Sequence, residues 1–201
     1  MANTSRINGF RPIKYLSGAP YNGAFNIYFI PSGNATATFV GDLVKLDTTS
    51  DPVASGGKAK GIRSVIQGAA AGAVVGAVVG FVVDPTNLNT PQYRAASTGR
   101  YVMVADDPNL LFECEEDGVG GQVALASIGL NADFVVGTGS TTTGQSGMML
   151  DSSTVATTAT LPLRIMEFTQ RVDNEGAAAY AKFVVKLNNH QLGSSTGVAG
   201  V

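Results

Sequence analysis

The stretch Tyr101-Val-Met-Val-Ala-Asp-Asp-Pro-Asn-Leu-Leu-Phe-Glu-Cys-Glu-Glu-Asp117 decides the fold class. Tyr101 to Val104 reads as a strand. Ala105 to Asn109 is a link rich in turn residues, because Pro pre-sets φ and Asp and Asn side chains hydrogen-bond the local backbone. Leu111 to Glu115 reads as a second strand. Successive side chains on a strand point to opposite faces, so Phe112 and Cys114 share one face and Glu113 and Glu115 the other.

The same alternation recurs outward from this pair. In Ala181 to Leu187, Ala181, Phe183, Val185 and Leu187 face one way, and Lys182, Val184 and Lys186 the other. Leu161, Leu163 and Ile165 share a face of another strand. Thr36, Thr38 and Val40 alternate with Ala35, Ala37 and Phe39. Gly41-Asp42 turns into a strand at Leu43 to Leu46, and Asp47 to Lys60, with Pro52, is a Gly-rich loop. Residues 118–160, rich in Gly, Ser and Thr, read as exposed strands joined by loose loops, with Gly137 to Gly144 a flexible hairpin tip. No amphipathic helix of three turns is evident. The expected fold is all-β, a β-barrel or β-sandwich occupying residues 34–192.

Gly68 to Val83 is the most unusual segment, with Gly68, Gly72, Gly76 and Gly80 four residues apart. On a helix they would form one small-residue stripe suited to close packing in a membrane. The uncharged run falls short of the roughly 20 residues that span a bilayer, and Val and Gly are poor helix formers in water. Buried strands, with Gly at bulges or close contacts, are the favoured reading.

Residues 1–33 read as an extended N-terminal arm. Pro12, Pro20 and Pro31 interrupt any helix, and several glycines loosen the backbone. The segment is nevertheless apolar, and Phe10, Tyr15, Tyr21, Phe25, Tyr28 and Phe29 are candidate protein-interface anchors. Aromatic rings supply large contact area at low entropic cost. The competing reading wraps this segment around its own domain. Residues 193–201 form a small-residue tail, frayed or docked on a neighbour.

Charged residues make up 14% of the chain, against roughly 25% in an ordinary soluble domain. Much of the surface is therefore expected to face protein rather than water. A net charge of −2 provides no global attraction for nucleic acid. Lys58, Lys60 and Arg63 form the one local basic group and read as a solvated loop. The N-terminus shows no secretion signal.

Candidate chemistry is sparse. His190 is the one histidine and Cys114 the one cysteine, too few for a zinc site built on those residues. Next to Asn188 and Asn189, His190 reads as a surface side chain. The carboxylates at Asp106-Asp107 and at Glu113, Glu115, Glu116 and Asp117 lack the order of a calcium loop and read as an acidic rim. Gly137 to Gly144 lacks the Gly-Lys-Ser/Thr ending of a nucleotide loop. No catalytic, metal or cofactor residue is assigned, and the chain is expected not to be an enzyme.

Three stretches resemble head decoration (cement) proteins of tailed bacteriophages over about half the chain: Met1 to Pro12, Gly41 to Leu46, and Tyr101 to Asp117. The resemblance implies a β-barrel or β-sandwich body, often trimeric, clamping the outside of an icosahedral capsid and stabilising the shell across capsomer boundaries. The implied partners are the major capsid protein and sister copies, with no nucleic acid, membrane or small-molecule substrate. The implied location is the capsid exterior of a virion made in the host cytoplasm. Two alternatives remain at this level: a small membrane-active protein using Gly68 to Val83, and a carbohydrate-binding β-sandwich module with Tyr93 and Tyr101 as sugar platforms.

Overall fold

The computed structural model describes residues 3–51, 61–193 and 196–201. Lys58, Lys60 and Pro52 of the expected Gly-rich loop lie outside these residues. The fold is all-β. Eleven strands run in chain order: β1 (Arg11–Tyr15), β2 (Asn26–Ile30), β3 (Leu43–Ser50), β4 (Arg63–Gln67), β5 (Gly76–Phe81), β6 (Arg100–Ala105), β7 (Leu110–Glu115), β8 (Asn131–Val135), β9 (Met149–Ala156), β10 (Leu163–Phe168) and β11 (Lys182–Leu187). One 3-10 turn, Leu125–Ser127, is the only helical element among the described residues.

The strands form two bodies. β2, β4, β3, β5 and β6 close into a barrel, and β1, β7, β11, β10, β8 and β9 form a six-stranded sheet in that order. Among these strands pairing is antiparallel except for the parallel contact of β2 with β4 at Phe29 and Ser64; some isolated bridges, such as Val74 to His190, are also parallel. Beyond its end, β7 continues into a bridge between Glu116 and Leu150 of β9, which curls the sheet towards closure.

Each body has its own core. Tyr28, Ile30, Val44, Val65, Val78, Val102 and Val104 fill the barrel. The inner face of the sheet, with Phe112, Phe134, Leu150, Leu163, Ile165, Phe183 and Val185, packs on Leu43, Val74, Ala77 and Ala105 from the barrel side. Where the two bodies meet, β3, β5 and β6 therefore bury both faces. This explains why β5 reads as a continuous apolar run rather than an alternating one.

The alternation in β7 and β11 holds: Phe112, Cys114, Phe183, Val185 and Leu187 all point into the core. In β10 a register shift between Ile165 and Glu167 resets the phase. Phe168 rather than Glu167 then follows Ile165 into the interior, where its ring lies 4.5 Å from Phe183. A bulge that re-aims side chains in this way keeps an acid out of the core.

Three expectations require correction. Residues 3–33 do not form a separate arm, and the competing reading, a segment packed on its own domain, describes them. β1 pairs with β7 and β2 with β6, and Phe10 and Tyr28 have no exposed surface. Pro12 is accommodated because β1 is an edge strand, where a missing N–H disrupts no second neighbour. Residues 118–160 are not merely exposed loops and strands, since Ala132, Phe134, Met148 and Leu150 are core residues. The segment Gly137 to Gly144 is tied to the barrel: Val40 donates to the Gly144 carbonyl and accepts from the Ser146 N–H at 2.9 and 2.8 Å.

The strand reading of Gly68 to Val83 holds for Gly76–Phe81. Residues 69–72 form a turn, and Val74 makes a parallel bridge to His190. No described helix is long and apolar enough to cross a membrane. The tail is docked on its own fold. Asn131 Nδ2 and Arg164 Nη2 both donate to the Val198 carbonyl at 2.8 Å, and the Gly200 N–H donates to Thr157.

Near the N-terminus the chain crosses itself at two glycines. Gly9 and Gly41 both have positive φ, 62° and 95°. A Cβ on Gly9 would meet the Gly41 carbonyl at 2.6 Å, and one on Gly41 would meet the Asn8 carbonyl at 2.6 Å. The crossing seats Phe10, whose ring meets Phe134 edge-on at 6.3 Å.

Candidate interaction surface

The antiparallel register places three irregular segments at one end of the sheet. Glu115, at the end of β7, lies opposite Lys182, at the start of β11, and Arg11, at the start of β1, lies opposite Glu113. Residues 3–10, the loop after β7 and the loop between β10 and β11 therefore emerge together.

Polar side chains hold these segments in place. Asn3 clasps the β10–β11 loop from both sides: its Nδ2 donates to the Glu175 carbonyl at 2.9 Å, and its Oδ1 accepts from the Glu175 N–H at 2.8 Å. Asn174 Nδ2 donates to the carbonyls of Thr169 and Lys182, both at 2.9 Å, and its Oδ1 accepts from the Lys182 N–H. Both Glu115 carboxylate oxygens accept from the Arg6 N–H at 3.1 Å, and Lys182 Nζ lies 3.9 Å from one of them. Burial pushes the Glu115 carboxyl above its usual range, against hydrogen bonds from Ser5 and Arg6 and the charge of Lys182. Glu116, fully buried, accepts from the Tyr180 N–H at 2.7 Å, and desolvation raises its carboxyl as well. The expected acidic rim is thus partly interior: Glu115 and Glu116 are structural brackets.

Upon this braced framework sit aliphatic side chains that face water. Val172 is fully exposed, Val119 is 65% exposed and Ile7 is 51% exposed. Scattered surface apolar residues are ordinary. Here the fold gathers three branched side chains at one end, on loops that side-chain hydrogen bonds hold in place.

The six aromatic candidates are not brought together. Phe10 belongs to the sheet core and Tyr28 to the barrel core, and neither offers surface. Tyr15 and Tyr21 pack against the sheet core, and burial together with Tyr15 raises the Tyr21 phenol. Phe29 lies on the barrel wall 5.3 Å from the Tyr101 ring, and Phe25 is 44% exposed. Their aromatic character reads directly from the sequence, whereas their division between two cores depends on long-range pairing.

Chemically active side chains are likewise dispersed. Among the described residues no group of three His, Cys, Asp or Glu side chains could hold a metal ion. Cys114 is buried in the core, where burial and the neighbouring Glu113 and Glu115 push its thiol up. A thiol held in that form is a poor nucleophile. In native buffer, Cys114 should fail to react with a thiol reagent over the time in which the urea-unfolded chain reacts completely; equal rates would show that this core opens readily.

His190 is not a surface residue. It is 2% exposed, and its Nδ1 accepts from the Leu192 N–H at 3.1 Å. Desolvation holds the imidazole below its ordinary 6.5, opposed by the charges of Asp106 and Asp107 and by backbone groups of Val75 and Asp106. The unfolded chain then binds the proton more readily than the folded one. Stability contributed by neutral His190 is complete above about 6.5 and declines as pH falls towards the lower folded value. Thermal melts of wild type and His190→Gln, stepped from pH 7.5 to 5.5, should show an additional decline in the wild type. Parallel curves would refute the assignment. Sequence reasoning missed this site because Asn188 and Asn189 resemble loop residues. Their side chains instead hold the carbonyls of Ala159, Leu161 and Thr160.

Tyr28 reaches one end of the barrel with its hydroxyl. There it donates to Asp106 Oδ2 at 2.5 Å and accepts from Arg63 Nη2 at 3.1 Å. Burial and Asp106 raise its phenol far above the ordinary value. It is a structural pillar rather than an acid available near neutral pH.

No family model matches this chain, and no curated protein and no solved structure matches it.

Proposed function

We propose that this chain is a non-enzymatic structural protein of a tailed-phage virion. It binds the outer surface of the capsid and stabilises the shell across capsomer boundaries, as one of several sister copies, with a trimer favoured. The observation that carries this reading is the braced end of the sheet with Ile7, Val119 and Val172 exposed. Apolar side chains on loops already fixed by Asn3, Asn174 and Glu116 lose little entropy on docking, so their burial is retained as affinity. The low fraction of charged residues, 14%, lessens the desolvation of ionised groups when large areas are covered.

A protein that binds the closed lattice and not free capsomers favours the lattice by mass action. Many repeated weak contacts over a shell multiply this effect. The partners in this reading are the major capsid protein and sister copies, and the location is the capsid exterior. Residues 1–33 do not act as a free arm here, because their strands are part of both bodies. The contact instead uses the rim to which residues 3–10 contribute.

The test is a Val119→Asp/Val172→Asp double variant. Both positions are exposed, so its melting temperature should stay close to that of wild type. Its occupancy on purified capsids should fall at least tenfold. Unchanged occupancy would exclude this end as the contact.

A further inference from the structure

A cleft of about 540 Å³ lies between the outer wall of the barrel and the long loop joining β5 to β6. Its volume falls within the roughly 300–1,000 Å³ typical of small-molecule sites. Phe29 and Tyr101 line it from the barrel, and Asp84, Asn87, Asn89 and Tyr93 line it from the loop.

The rings are held in place from behind. Tyr93 stacks on Phe39 at 5.2 Å and 17° between planes, which covers one face and leaves the other for a ligand. Tyr101 is fixed by a hydrogen bond to Asp51 and by Phe29. The loop itself is fixed by Arg100. Its Nη1 donates to the carbonyls of Pro91 and Tyr93 at 2.7 and 2.8 Å, and its guanidinium lies 4.9 Å over the Phe81 ring. Arg94, which has no exposed surface, ties the end of the same loop to residues 31–36 through three backbone carbonyls and to Thr98 within the loop through a fourth.

The chemistry of the lining narrows the ligand. Arg100, the cation among the lining residues, has Nη1 on the Pro91 and Tyr93 carbonyls and Nη2 on the Thr90 hydroxyl, and the negative charge of Asp84 offsets its own, so the cleft does not favour an anion. A purely apolar ligand would make no use of the exposed polar groups of Asp84, Asn87 and Asn89 and would displace water from them. Planar carboxylate and amide groups beside an aromatic face match a ring that is apolar on its C–H face and carries hydroxyls around its edge. Asp84 already accepts from Thr86 at 2.9 and 2.7 Å through Oδ1, and Asn87 Oδ1 accepts from the Asn89 N–H at 3.1 Å. Their other polar atoms face solvent.

We infer that this cleft binds a neutral sugar ring, which stacks on Tyr93 and hydrogen-bonds through its hydroxyls to Asp84, Asn87 and Asn89. This activity is separate from shell binding and does not depend on it.

The experiment is an oligosaccharide array probed with the intact protein, followed by saturation-transfer NMR titration of the strongest hit and of cellotriose, maltotriose and chitotriose. Saturation should pass to at least one of these sugars. Asn87→Ala, an exposed position, should weaken binding at least fivefold, and Tyr93→Ala at least tenfold, with the melting temperature followed for each. Tyr93→Phe should retain most of the affinity, since it keeps the stacking face. No transfer to any sugar would overturn the inference. So would transfer that survives Asn87→Ala and Tyr93→Ala unchanged, or binding restricted to acidic sugars.

Discussion

Arg94→Met should lower the unfolding free energy by about 3–5 kcal/mol, since it removes several hydrogen bonds from a charged group, each contributing about 1.5–3 kcal/mol before relaxation. Arg94 has no exposed surface. Its Nε donates to Thr98, Nη1 to Thr36, and Nη2 to Pro31 and Asn34, all through backbone carbonyls at 2.5–2.9 Å. Among the described residues no carboxylate forms a salt bridge with it. The charge is solvated by the backbone alone, and desolvation lowers its pKa accordingly. Without the guanidinium the Pro31 and Asn34 carbonyls keep the Asn34 and Ser97 N–H donors, whereas the part-buried Thr36 and Thr98 carbonyls lose theirs, at a cost of about 1–3 kcal/mol for each one that water does not reach. Arg94→Lys should rescue little, because a compact ammonium cannot span the same acceptors. Urea unfolding with unchanged m-values gives the comparison. A lysine variant within about 1 kcal/mol of wild type would contradict the clamp, a loss below the size of most buried polar deletions. Because Arg94 joins the β2–β3 and β5–β6 loops, its loss should also weaken any ligand held in the cleft beside them.

The second large effect is expected at Gly76. A Cβ there would overlap the Ala105 carbonyl oxygen, which is backbone and cannot rotate away. Gly76→Ala must push β5 from β6 where the barrel meets the sheet, at a cost of about 3 kcal/mol or more, the upper part of the range for overpacking. Gly80→Ala provides the contrast. Its Cβ would meet only the flexible Met103 Sδ at 3.5 Å, and alanine lowers the entropy of the unfolded chain. Gly80→Ala should therefore be neutral or slightly stabilising. Equal losses at both positions would show that the four-residue spacing itself matters, as a helical stripe would require. Unequal losses show that one close approach in a strand accounts for the constraint.

These two residues also mark what could be read from the sequence. Alternation identified β7 and β11 because Phe112, Cys114, Phe183 and Val185 are separated by residues that face the other way. The strand character of Gly76–Phe81 followed from poor helix propensity and a run too short for a membrane. Residues 11–15 and 26–30 are hard to recognise as strands because Pro12, Pro20 and Gly23 interrupt their pattern and their partners lie far along the chain. β8 carries a usable signal within a weakly patterned stretch, since Ala132 and Phe134 alternate between Gly129 and Gly137. Arg94 had no local signature at all, since its four acceptors come from turns on both sides of it in the chain. The candidate surface is illegible for the same reason: the register of β1, β7 and β11 is what brings the segments carrying Ile7, Val119 and Val172 to one end of the sheet.

The most direct test of the proposed role is absolute quantification of this protein in purified virions, alongside its oligomeric state in solution. Hundreds of copies per particle are expected, in a fixed ratio to the major capsid protein, together with a sister-copy assembly in solution. Absence of the protein from particles, or only a few copies confined to the tail, would contradict the proposed role.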